Sequence, residues 1–112
     1  MMQIRKMNKE RLIQNCLQMI GGDVNQAKVE QLIASAFAFI NWYTFQSYSI
    51  DHVVDVPIDV LSIVVDLVAM KYHDVGNVIA EKLSDYSVTY SNEDLSEKMR
   101  PILNRYVIYY VS

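Results

Sequence analysis

The stretch from Pro57 to Asp74 constrains this chain more than any other. Ile58, Leu61, Val64, Val65, Val68, Ala69 and Tyr72 recur at helical spacing. Pro57 suits a first helical turn, because its fixed φ and missing N–H cost nothing there. Asp55 and Asp59 add negative charge at the positive end of the helix. Gly76 marks the expected stop, which gives a helix over about 57–74, roughly 27 Å at about 1.5 Å per residue. Val60, Ile63, Val64 and Val65 lower the intrinsic helix propensity, but the period and the N-terminal proline outweigh them. So apolar a helix needs cover on several sides and reads as the centre of a bundle.

Two shorter helices precede it. Asn8 can cap a helix over about 8–20, with Leu12, Ile13, Cys16, Leu17 and Ile20 on one stripe and Gly21-Gly22 ending it. Asp23 or Asn25 can cap the next, over about 25–45, with Val29, Leu32, Ile33, Ala36, Phe37 and Ile40 on one face. The small residues Ala34, Ser35, Ala36 and Ala38 allow another helix to approach closely, and the aromatic end Trp42-Tyr43-Thr44-Phe45 is expected to close a corner of the core. The polar stretch from Gln46 to Asp55 is the longest expected loop.

Beyond Gly76 the period changes. Tyr86, Val88 and Tyr90 alternate with Ser87, Thr89 and Ser91, a strand signature over about 85–91. Val78 to Leu83 is its candidate hairpin partner. A last helix over about 96–108 has Leu95, Met99, Ile102, Leu103 and Tyr106 on its apolar side. Pro101 leaves two alternatives: regular helix begins near Arg100, or a helix from Ser96 bends at the proline. The expected fold is mainly α, a bundle of about four helices with a short β-strand or hairpin before the C-terminal helix, in one domain over 1–112. With 3 Gly, 2 Pro and 52% hydrophobic residues, the composition suits that class and excludes disorder.

Sites for chemistry are absent from the pattern. His52 and His73 lack Cys, Asp or Glu partners at metal spacing, apart from the adjacent Asp74, and read as loop and helix-end residues. Gly21-Gly22 lacks the pattern and the lysine of a phosphate loop, and no nucleophile elbow occurs. The acidic residues Asp51, Asp55, Glu93 and Asp94 read as solvated loop or cap carboxylates. No catalytic, cofactor or metal site is therefore expected, and the chain is not read as an enzyme. Cys16 lies on an apolar stripe as a buried small hydrophobe, and a single thiol forms no internal disulfide. No signal-peptide pattern opens the chain and no apolar run approaches the roughly 20 residues of a membrane span, so cytoplasmic synthesis without membrane contact is expected.

Two features do not suit a self-contained monomer. The Tyr86–Ser91 strand has at most one partner, and a lone hairpin is marginal unless it packs on something. The chain ends Tyr106-Val107-Ile108-Tyr109-Tyr110-Val111-Ser112, six consecutive apolar or aromatic residues that leave no polar face. Such surplus apolar surface marks interfaces, and tyrosine suits them because it joins apolar area to a polar tip. Tyr86, Val88, Tyr90, Tyr106, Val107, Ile108, Tyr109, Tyr110 and Val111 are therefore the expected subunit or partner interface.

The order of elements also resembles a known family. A Pro-started apolar helix carries Ala69-Met70-Lys71-Tyr72-His73, followed by Glu81-Lys82-Leu83-Ser84-Asp85-Tyr86-Ser87-Val88-Thr89-Tyr90 and a helix ending Leu103-Asn104-Arg105-Tyr106. Over roughly Asn8 to Tyr106 this is similar to the small head–tail connector proteins of long-tailed bacteriophages and prophages, also called head completion, adaptor or DNA-packaging proteins. The resemblance implies a structural virion protein, a ring of about a dozen identical subunits with heterologous contacts. The ring docks beneath the portal, extends the DNA channel and offers a platform for the tail. Implied partners are other copies of the chain, the portal, a tail-side completion or terminator protein, and DNA that passes without sequence-specific binding. The implied location is the host cytoplasm during assembly and then the virion neck. Pro101 and the aromatic tail, where relatives often carry basic residues, depart from that pattern.

The alternative is a small helical DNA-binding or regulatory protein using Arg5, Lys6, Lys9 and Arg11. With 10 Lys+Arg against 13 Asp+Glu, the net charge is −3, which excludes a surface built throughout to hold phosphates. The second and third helices lack the Arg, Asn and Gln pattern of a recognition pair.

Overall fold

A computed structural model describes the backbone of residues 8–82 and 90–109, and the side chains of 8–73 and 90–109. Four α-helices follow in order: α1 (Lys9–Ile20), α2 (Gln26–Thr44), α3 (Ile58–Lys82) and α4 (Met99–Asn104). Two 3₁₀ turns, Ile50–Asp55 and Asn92–Asp94, lie between them. Among the described residues there is no strand.

The helix starts follow the capping chemistry of the sequence. The Asn8 side chain accepts from the Arg11 amide at 2.8 Å, and Asn25, of the two candidates, accepts from the Lys28 amide at 3.3 Å. α1 stops at Gly21, whose φ of 76° and amide bond to the Leu17 carbonyl at 2.9 Å need a residue without Cβ strain. α2 ends differently. Phe45 takes the left-handed cap conformation at φ 62°, a cost of roughly 1 kcal/mol for a residue with a Cβ.

α3 is the central helix. α1 and α2 both pack along it, and α4 packs against α2 and α3. Leu12, Ile13 and Cys16 of α1 meet Val29, Leu32, Ile33, Ala36 and Ile40 of α2 and Val60, Leu61, Val64, Leu67 and Val68 of α3 in one cluster. Leu95 and Leu103 close it at one side, Val53 and Val56 at another. Cover on three sides buries Val60, Ile63 and Leu67 along with the predicted stripe, while Ile58 turns outward and is 78% exposed. Burial pushes the Cys16 thiol up to about 12. Its thiolate fraction at neutral pH is then on the order of 10³ below that of an exposed thiol. Alkylation of Cys16 by a maleimide should accordingly be slow in the native chain and fast in denaturant; rapid native labelling would contradict its burial.

Several expectations are corrected. α3 does not stop near Asp74 or Gly76 but continues to Lys82, so Val78 to Lys82 is helix rather than a hairpin strand. An interior glycine costs a helix only about 1 kcal/mol, and no proline or cap follows Gly76 to turn that cost into a stop. Of the predicted strand at 85–91, residues 85–89 lie outside the described residues, while Tyr90 and Ser91 are irregular and lead into the 3₁₀ turn. The last helix is six residues long rather than 96–108. Pro101 is its third residue, where no intrahelical N–H bond is needed, so the alternative with helix beginning near Arg100 is the one adopted. Within the expected 46–55 loop, Ile50–Asp55 winds into a 3₁₀ turn because Val53, together with Val56 just beyond it, has a core to enter. At the end of α2, Thr44 enters the core, whereas Trp42 and Phe45 are 66% and 58% exposed.

Candidate assembly surfaces

The C-terminal arm, residues 105–109, is fastened to its own subunit. The Tyr43 hydroxyl donates to Asn104 Oδ1 at 2.7 Å, just before the arm begins. Gln46 Nε2 donates to the Tyr106 carbonyl and the Ile108 amide to the Thr44 carbonyl, each at 2.8 Å. The Tyr106 hydroxyl donates to both Asp59 oxygens, at 2.8 and 3.0 Å, and Arg105 pairs with the same carboxylate at 3.1 Å. The hydrogen bond to Asp59 raises the Tyr106 pKa, with desolvation and the carboxylate charge adding to it, so this phenol keeps its proton. Asp59 thus serves three roles: helix-start charge, phenol acceptor and arginine partner.

Beyond Tyr106 the arm stays on the subunit as far as the bond from the Ile108 amide to the Thr44 carbonyl. Val107 is half-buried, Ile108 is 36% exposed and Tyr109 is 77% exposed. The Tyr106–Asp59 clamp and the Ile108–Thr44 bond together set the direction in which Tyr109 leaves the surface. Asp59→Ala should loosen the arm at Arg105 and Tyr106, so that trypsin cuts after Arg105 several-fold faster while helical circular dichroism stays unchanged. Equal cutting rates would show that the clamp does not hold the arm.

Tyr90 has the opposite placement. It is 8% exposed and packs in the core cluster, its ring 6.4 Å from Phe39. Its hydroxyl faces the Leu32 and Leu67 carbonyls at 3.5 and 3.4 Å, bridging α2 and α3. Lys71 Nζ sits 5.1 Å above the ring and pairs with Asp94 at 3.2 Å. The Ser91 amide donates to Asp94 Oδ2 at 2.8 Å, which ties this crossing to the 3₁₀ turn. Of the residues expected at an interface, Tyr90 is thus spent on the subunit itself, Tyr106 is its clamp, and Ile108 and Tyr109 are presented outward. Tyr86, Val88, Tyr110 and Val111 lie outside the described residues.

Two further surfaces escaped the sequence reading. On α2 the exposed residues are Gln26, Ala27, Gln31, Ala34, Ala38 and Trp42, none of them charged. Between α1 and α3 lies an open groove of about 500 Å³, lined by Asn15, Gln18 and Met19 on one side and Ile58, Leu61, Ser62, Val65 and Asp66 on the other. Met19, 55% exposed, and Ile58 are its apolar rims. The lack of charge on the α2 face was legible in the sequence; the groove was not, because it needs the α1–α3 packing.

His52 and His73 are both exposed, and among the described residues no group of His, Cys, Asp and Glu could hold a metal. On α1 the exposed Lys9 and Arg11 flank Glu10. No helix of the described residues is long and apolar enough to cross a membrane.

A helical subunit with an anchored arm ending in an exposed tyrosine and an uncharged α2 face has the build of a structural assembly protein. The phage gp6-like head-tail connector family matches residues 10–106, most of the chain, and the protein belongs to that family. Its role is that of a structural connector in a phage particle. Neither a curated protein nor a solved structure matches the chain.

Proposed function

We propose that the subunit assembles with about a dozen copies of itself into a closed ring of heterologous contacts beneath the portal. The ring extends the DNA channel and gives the tail its platform, meeting a tail-side completion or terminator protein on its other face. Assembly takes place in the host cytoplasm, and the ring ends in the virion neck. The observation that carries this reading is the C-terminal arm, held at Tyr106 by Asp59 and at Ile108 by Thr44, with Tyr109 77% exposed beyond. An exposed tyrosine at the end of an anchored arm, joining apolar area to a polar tip, suits contact with a partner. The net charge of −3 suits a channel through which DNA slides without adhering.

Negative-stain images of the chain mixed with its portal test the proposal. An added ring is expected on the narrow end of the portal. A portal left bare at excess chain would refute it, and tight, sequence-selective duplex binding at physiological salt would favour the DNA-binding alternative instead.

A further inference from the structure

The uncharged outer face of α2 and the α1–α3 groove lie on opposite sides of the subunit. α2 turns Val29, Leu32, Ala36 and Ile40 toward α3, which places Trp42 on its far side. On α3 the carbonyl of Leu67 meets Tyr90 together with that of Leu32, so that side of α3 faces α2. Ile58 and Ser62 emerge on the side away from it. One patch carries a tryptophan 66% exposed, its ring stacked on Phe39 at 6.0 Å, and the other is recessed.

We propose that these two faces meet between neighbouring copies: Trp42 of one subunit enters the α1–α3 groove of the next, against Met19 and Ile58. This rests on the reading that the chain assembles with itself, and it assigns the surfaces. A two-fold dimer would cover only one patch and leave the other in water, whereas a heterologous contact covers both on every subunit. Ala34 and Ala38 beside Trp42 are exposed and small, so the neighbouring helices can approach closely. Each face has few side chains that are both large and exposed, Trp42 on one and Met19 and Ile58 on the other, so one contact is small beside the roughly 800 Å² per partner of a standard interface. A single contact is therefore weak, and closure, which holds each subunit twice, supplies the stability.

The test uses two full-length chains, one Ala38→Cys and one Ser62→Cys, with a short bis-maleimide, alone and mixed, with and without the portal. Both positions are exposed and Cys16 is buried, so labelling is selective. Cross-linked dimer is expected from the mixture and not from either chain alone. Trp42→Ala in the Ala38→Cys chain should lower the yield about thirtyfold, the loss typical of an aromatic anchor. The same change in the Ser62→Cys chain should lower it much less, because there Trp42 is lost only from the contact that carries no cross-link. Ile58→Asp should act in the reverse sense. Equal dimer from one chain alone would overturn the assignment in favour of a two-fold contact. So would a Trp42 emission already buried in the isolated subunit, which would mean that the chain covers this face itself. Multimers by sedimentation without the mixed cross-link would refute these faces and leave the ring intact; no multimers and no cross-link, even on the portal, would refute both.

Discussion

Tyr90→Ala should destabilise the subunit by about 3–5 kcal/mol, the usual range for deleting a buried aromatic ring. That is a large share of the roughly 5–15 kcal/mol available to a small domain. The ring fills the junction of α2, α3 and the 90–95 crossing, against Phe39 and under Lys71. Tyr90→Phe keeps that packing and loses only two long hydrogen bonds, 3.4 and 3.5 Å, so its cost should be about 0.5–1 kcal/mol. Urea unfolding followed by far-UV circular dichroism measures both. A loss under about 1 kcal/mol for alanine would mean that the ring is not a core element. pH gives an independent reading. Burial raises the Tyr90 pKa, and the Asp94 charge adds to it. A raised folded pKa contributes stability that is complete below the ordinary phenol value of about 10 and lost as pH rises above it. The alkaline fall in stability should therefore be shallower in Tyr90→Phe than in the parent chain.

Removing residues 107–112 should abolish assembly on the portal while leaving the helical signal in place. The cut spares the Tyr106 clamp and the Tyr43–Asn104 bond. It loses the bond between the Ile108 amide and the Thr44 carbonyl and the half-buried Val107, a cost of about 1–2 kcal/mol. The exposed Ile108 and Tyr109 go with it, and with them the direction the clamp imposes. Loss of cooperative unfolding in the shortened chain would instead make the arm part of the subunit's own core. The two predictions separate the two uses of aromatic residues here. Tyr90 is packed within the subunit, whereas Tyr109 stands exposed.

Sequence alone determined the helices that carry their own signals. α1 and α2 lie within a residue or so of their predicted bounds, because Asn8, Asn25 and Gly21 act on backbone within a turn of themselves. The start of α3 after Pro57 is local in the same way. The family, too, was legible, since the order of elements and short runs such as Leu103-Asn104-Arg105-Tyr106 survive as text. Tertiary structure decided the rest. Gly76 could be a stop or an interior residue, and the difference of about 1 kcal/mol lies within what context overrides. Alternation at Tyr86 to Tyr90 described side-chain spacing, yet Tyr90 became a core residue because α2 and α3 left a slot of its size. Ile58 and Trp42 have the chemistry of core residues and stand in water. A pattern records which residues prefer burial, but only the packed helices decide how many sides can be covered.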